Sequence, residues 1–209
     1  MYNINELIIR NIKTEDKKDI SKIYLDGFNN KVKNLLDLPD ECKNDFLDEF
    51  GILGTHYKEG YFIAEIDGDI IGLMLLRWVG QRKQKKRHNL KFSLLIKKYG
   101  LISTIKTMAK LKLMNHNPKK GEIYIDNIAV SEKARGLGVG SILIDKAFDT
   151  AISMKGIDKV SLAVIEDNPK AHKLYKRLGF KDVHKITTRL GKWAVGVYQY
   201  TEMEKAITD

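Results

Sequence analysis

The stretch that most constrains how this chain can fold is Arg135-Gly136-Leu137-Gly138-Val139-Gly140-Ser141, which joins an apolar extended run to an amphipathic helical one. Upstream, Gly121 to Val130 (GEIYIDNIAV) is rich in β-branched residues and reads as a strand. Downstream, Ile144, Ala147, Phe148 and Ala151 recur at offsets of three, four and seven, the spacing of one helix face. Three alternate glycines let the backbone turn tightly and present its N–H groups outward. At a helix start those N–H groups, with the positive end of the dipole, make an anion seat of the kind that holds pyrophosphate. Arg135 adds a permanent positive charge at its mouth.

Spacing excludes two other phosphate loops. The dinucleotide fingerprint needs a glycine where Ser141 stands, and the P-loop needs a Gly-Lys-Ser/Thr that is absent. A second stretch has matching punctuation. Lys159 to Ile165 (KVSLAVI) reads as a buried strand, followed by Asn168 as an N-cap, Pro169 at the first helical position and Gly179 beyond the last turn. Ala171, Leu174, Tyr175 and Leu178 share one face of that helix.

Taken together, Arg-x-x-Gly-x-Gly after a strand ending Ile-Ala-Val, and Asn-x-x-Ala-x-x-x-Tyr-x-x-x-Gly-Phe after the next strand, resemble the coenzyme-binding motifs of the GNAT N-acetyltransferase superfamily. The resemblance covers Tyr61 to Trp78 and Gly121 to Phe180, and the tail loosely. It implies an α/β (α+β) fold built on a central, mixed, mostly antiparallel sheet of six to seven strands. Helices flank the sheet, and its fourth and fifth strands splay apart. About forty residues at 81–120 then form a basic helical insertion between strands three and four.

Read in order, Leu7 to Arg10 is a short strand. A helix follows with Ile20, Ile23, Tyr24 and Phe28 on one stripe and Thr14 or Asp16 as cap. Between Asn30 and Gly54, apolar clusters (Val32, Leu35, Leu36; Phe46, Leu47, Phe50) suggest one or two helices. Tyr61 to Ile66 and Ile70 to Trp78 form a hairpin about Asp67-Gly68. On the fourth strand the two-residue period puts Glu122, Tyr124, Asp126 and Ile128 on one face, and Ile123, Ile125, Asn127 and Ala129 on the other. In the insertion, Phe92, Leu95, Ile96 and Tyr99 suit a helix ended by Gly100. Ile102, Ile105, Met108 and Ala109 suit the apolar stripe of a second, with Lys106, Lys110 and Lys112 largely off it. The tail, Asp182 to Arg189 and Lys192 to Thr201, reads as a hairpin around Leu190-Gly191.

The 209 residues, 43% of them hydrophobic, can bury a sizeable core and are expected to form one domain, 1–209. No stretch reaches the roughly 18 apolar residues of a membrane span, and the N-terminus lacks the features of a signal peptide. One cysteine, Cys42, excludes an internal disulfide and a cysteine-cluster metal site, and His56, His88, His116, His172 and His184 are scattered. A cytoplasmic, metal-free protein is expected. The net charge of +10 is local: 13 of 37 basic residues and no acidic ones lie between Gln81 and Lys120, leaving 24 basic and 27 acidic elsewhere. The segment reads as a solvated helical hairpin or a dimer interface. A lid for an anionic acceptor, or a surface for nucleic acid or anionic membrane, stays open, although few aromatics interleave to stack bases.

The resemblance implies an acyltransferase of the EC 2.3.1 type, moving acetyl from acetyl-CoA directly to a primary amine of a small molecule or peptide. Such a reaction needs no nucleophilic residue. The coenzyme is expected along Ile128, Ala129 and Val130, the turn Arg135, Gly136, Leu137, Gly138, Val139, Gly140 and Ser141, and then Asn168, Ala171 and Tyr175. Main-chain N–H groups around Ile128 to Val130 would polarise the thioester. Tyr175 is expected to supply a proton to the thiolate, and Asp126, or failing it Glu122, to take one from the amine. Homodimers are common in the family. A different class on the same fold, an acyl-CoA-binding sensor with little catalysis, is the alternative.

Overall fold

A computed structural model describes residues 2–28, 47, 52–57, 59–82, 92–114 and 116–207. Its frame is one seven-stranded sheet: β1 (Ile8–Asn11), β2 (Tyr61–Ile66), β3 (Asp69–Arg77), β4 (Glu122–Val130), β5 (Lys159–Ile165), β6 (Lys181–Thr187) and β7 (Gln199–Ala206). The order is β1-β2-β3-β4-β5-β7-β6. Every pairing is antiparallel except β4 with β5. The β2–β3 hairpin turns on Asp67 (φ 51°) and Gly68 (φ 83°), a left-handed pair whose twist matches that of the strands it joins.

Helices cover both faces. On one lies α1 (Lys17–Gly27), whose Ile20, Ile23 and Tyr24 are buried with Tyr61, Ile63, Leu73, Leu75 and Ala129. A 3-10 turn, Thr14–Asp16, precedes it. Asp16 stands at the cap position, but its carboxylate is held by Arg10 at 2.7 and 2.9 Å and by the Lys13 N–H at 2.7 Å, tying β1 to the helix start. On the other face lies α4 (Val139–Ile152). Its Leu143, Ile144, Ala147 and Ala151 are buried with Ile71, Met74, Ile123, Ile125, Val160 and Leu162.

The insertion carries α2 (Phe92–Tyr99) and α3 (Leu101–Met114), separated by Gly100 with φ 81°. Leu95 and Tyr99 are buried against the α1-side cluster. Of the readings open for α3, packing of its apolar stripe on the domain is overturned: Leu101, Ile102, Ile105 and Met108 are 47–69% exposed, whereas Thr104 and Thr107 are buried. The tail also differs. After β6 the chain forms α6 (Arg189–Val195), not a simple hairpin turn, because Thr188 caps it by accepting the Gly191 N–H at 3.1 Å and Gly196 (φ 74°) ends it. The helices expected between Asn30 and Gly54, together with Cys42, fall largely outside the described residues, although Leu47, Ile52 and Leu53 are within them and join the α1-side core. The same is true of His88 and the Phe92 side chain.

Candidate active site

The site grows from a break in the sheet. β4 and β5 pair only from Glu122–Lys159 to Ile125–Leu162. Beyond that, β4 stays with β3 to Val130 and β5 stays with β7 to Ile165, so a wedge opens between them. Because the two strands are parallel, their C-terminal ends share this open end, and so do the helices that follow: α4, and α5 (Pro169–Arg177) after β5. The Ser131 N–H donates to the Ile71 carbonyl at 2.8 Å, on the β3 side. Strand alternation then aims the N–H groups of Val130 and Ile128 the other way, into the wedge.

The closed end is pinned by Glu122. Its carboxylate accepts from the Lys119 N–H at 2.6 Å and the Ser161 hydroxyl at 3.1 Å, and lies 3.4 Å from His116 Nε2. Burial opposes its charge, but the bonds from His116, Lys119 and Ser161 outweigh that and hold its carboxyl below the ordinary range. Glu122 therefore ties the insertion to β4 and β5.

At the open end the backbone does the shaping. Gly136 (φ 85°) and Gly138 (φ 86°) are left-handed, and Gly138 is the N-cap residue of α4. A Cβ at either would meet nothing within 4 Å, so glycine is needed for the backbone angle and not for packing. Among the described residues, the N–H groups of Gly136, Gly138, Val139 and Gly140 find no intramolecular acceptor. A Cβ on Gly140 would sit 3.6 Å from Leu174 and 3.9 Å from Val130, so turn, strand end and α5 converge there. On α5 the Asn168 carbonyl oxygen accepts the Ala171 N–H at 3.1 Å, as a cap. Tyr175 is buried beside Phe180, and burial pushes its phenol up to about 12.

The α1 side of the wedge is built from side chains. Register passes from Leu75–Asn127 to Leu76–Ile125, leaving Asp126 as a bulge. The bulge reverses the alternation of β4. Ile123, Ile125, Ile128 and Val130 pack on the α4 side and Ala129 on the α1 side, correcting the faces expected from a strict two-residue period. Asp126 lies 3.4 Å from Arg77 Nη1 and accepts from Asn127 Nδ2 at 3.2 Å. Burial first, then the Asp126 charge, raises the hydroxyls of Tyr24 and Tyr124; at Tyr61 burial is followed by Tyr24 and then Asp126. Among the described residues the buried Tyr61 hydroxyl has no hydrogen-bond partner, and Arg77 lies over the Tyr57 ring at 5.5 Å. Tyr175 thus belongs to the α4-side core, whereas Asp126 bulges from β4 just beyond its last pairing with β5 and bears on the α1-side tyrosines. Arg77 and the tyrosines were not foreseen. The one available signal was a lone arginine ending an otherwise apolar strand.

A parallel strand pair that splays at its C-terminal end, with a glycine-capped helix start beside it, is the arrangement of the GNAT fold. A family model described as "Acetyltransferase (GNAT) family" matches residues 22–180, and the chain belongs to that family. It is an N-acetyltransferase, carrying acetyl to an amine, and the family uses acetyl-CoA. An N-alpha-acetyltransferase of Sulfurisphaera tokodaii is 29% identical over 85% of this chain and 82% of its own length. A bovine thialysine N-epsilon-acetyltransferase is 40% identical, but over 31% of this chain and 38% of its own length. Among solved structures, an N-acetyltransferase from Staphylococcus aureus Mu50 superimposes with a TM-score of 0.66 at 22% identity, covering 95% of this chain and 100% of that one. No described helix is long and apolar enough to cross a membrane.

Proposed function

We propose that this chain, as a single acetyltransferase domain, binds acetyl-CoA in the wedge and acetylates the α-amino group of a peptide or protein directly. The observation that carries the coenzyme site is the run of acceptor-free N–H groups at Gly136, Gly138, Val139 and Gly140, at the open end of a parted strand pair. They suit a pyrophosphate, with Arg135 adding charge, and Leu137 and Ser141 complete the turn. The acceptor class is supported by the N-alpha-acetyltransferase of S. tokodaii, similar along most of both chains, whereas the thialysine enzyme is similar over only 65 residues.

Acetyl-CoA supplies an activated thioester. The carbonyls of the pantetheine arm and the thioester take the place of β4's missing ladder partner, accepting from the N–H groups of Ile128 and Val130, which thereby hold the arm and polarise the thioester, with Ala129 and Ala171 lining it. Asn168 spends its side chain as a cap and so serves by fixing the start of α5. Tyr175 is wholly protonated at neutral pH. As a weaker acid than a thiol of pKa about 8.5, it steadies the developing thiolate chiefly as a hydrogen-bond donor. Asp126, oriented by Arg77 and Asn127, receives the proton of the incoming ammonium through water.

The test is calorimetric titration with acetyl-CoA, on the wild type and on Gly138→Val, followed by thiol release with a panel of peptides and small amines. Saturable binding lost in the variant, with turnover highest on free peptide N-termini, is the expected result. Unchanged affinity in Gly138→Val defeats the coenzyme site. Binding without turnover points to a sensor, and turnover on small amines alone defeats the acceptor class.

A further inference from the structure

Outside the wedge, α3 shows the largest mismatch between chemistry and placement. It turns Thr104 and Thr107 inward and leaves Leu101, Ile102, Ile105 and Met108 at 51%, 69%, 51% and 47% exposure. On a helical wheel these four, with exposed Ala109, span an arc of about 120°, with Lys112 entering it one turn further on, buried Thr107 on the far side of the helix and Thr104 next to the Met108 edge. Single exposed apolar residues are ordinary; a contiguous arc marks an interaction surface. The patch extends onto α6, which packs against α3 and exposes Leu190 (61%) and Trp193 (55%), and Lys110 Nζ stands 5.5 Å above the Trp193 ring. Lys97, Lys106, Lys112, Arg189 and Lys192 are exposed around it.

Charge decides the occupant. The segment from Gln81 to Lys120 carries 13 basic residues and no acidic one. A second copy would bring like charges together across the patch, which opposes a symmetric dimer. Nucleic acid would satisfy the lysines and strand the aliphatic arc in water. An anionic lipid surface satisfies both, because the aliphatic residues enter the acyl boundary, the indole sits at headgroup depth and the lysines meet the phosphates. We infer that the α3–α6 face docks the protein peripherally on membranes rich in anionic lipid. This rests on no feature of the acyl-transfer site.

The experiment is co-sedimentation of the full chain with vesicles of phosphatidylcholine alone and with about 30% phosphatidylglycerol, at low and physiological salt. The expected result is binding to the anionic vesicles only, weakened by salt, with a blue shift of tryptophan emission. The double variant Ile102→Ser/Ile105→Ser should lower partitioning roughly tenfold or more while leaving thermal stability and acetyl transfer unchanged, since both side chains already face water. Trp193→Phe should abolish most of the blue shift. No binding to anionic vesicles, equal binding to neutral ones, or binding indifferent to the double variant overturns the inference. So does a dimer in sedimentation velocity that this same variant dissolves, which would assign the face to a second copy.

Discussion

Helices α3 and α4 are the same length, 14 residues, and both repeat apolar residues at helical spacing. In α4 that repeat is core: Leu143 and Ala147 are wholly buried against the sheet. In α3 the repeat faces outward, and threonines take the inner side. Periodicity says that a helix has an apolar face. It does not say what lies opposite that face. The two helices also begin alike, each after a left-handed glycine, Gly100 or Gly138, whose added Cβ would meet nothing within 4 Å. Yet Gly100 also ends α2, donating to the Ile96 carbonyl at 2.8 Å, whereas the N–H groups of Gly138, Val139 and Gly140 have no acceptor among the described residues.

The comparison breaks first at the core. Leu143→Ala should cost about 2–5 kcal/mol of stability in chemical denaturation, and Ile105→Ala within about 0.5 kcal/mol. Comparable losses in both would mean that α3 is packed by its apolar face after all. The glycines come next. Gly100→Val and Gly138→Val should each cost about 1–2 kcal/mol from a disfavoured backbone angle. Only Gly138→Val should also lose acetyl-CoA affinity, about a hundredfold or more by titration. If Gly100→Val matches that loss, the effect is general softening and not a filled anion seat.

Tyr175→Phe sharpens the α4 side further. It should lower kcat about 10- to 100-fold with little change in acetyl-CoA affinity, because the lost hydroxyl acts on charge that develops only as the thiolate leaves. At the closed end of the wedge the expected effect is read from its pH dependence. Glu122 is held below its ordinary pKa in the folded state, so its contribution is complete above the unfolded value near 4.3 and fades as pH falls through the folded one. Glu122→Gln should therefore cost about 1–3 kcal/mol at pH 7, and the gap from the wild type should close below about pH 4. A gap independent of pH would mean that the charge plays no part.

Much of the donor side was legible because local chain geometry writes it. Gly136 and Gly138 announce a left-handed turn that favours glycine, and Asn168-Pro169 and Gly179 punctuate α5. Those signals depend on residues a few positions apart. The acceptor side was not legible, since Tyr24, Tyr57, Tyr61, Arg77 and Asp126 come from four separate stretches. Asp126 was singled out by the two-residue period of β4, and the bulge at that residue overturns that reason.

The sequence by itself therefore determined the first six strands, the glycine turn, the capped α5, the concentration of charge in 81–120 and the family, whereas the last strand, expected over Lys192 to Thr201, lies at Gln199–Ala206. These rest on short-range sterics and hydrogen bonding, which are readable residue by residue. Tertiary structure alone decided where β4 parts from β5, that a bulge presents Asp126 to Arg77, that Thr188 starts a helix where a hairpin turn was expected, and that α3 keeps its isoleucines outside. Each of those outcomes is set by what happens to pack across the element, and a neighbour in space leaves no mark on the local sequence.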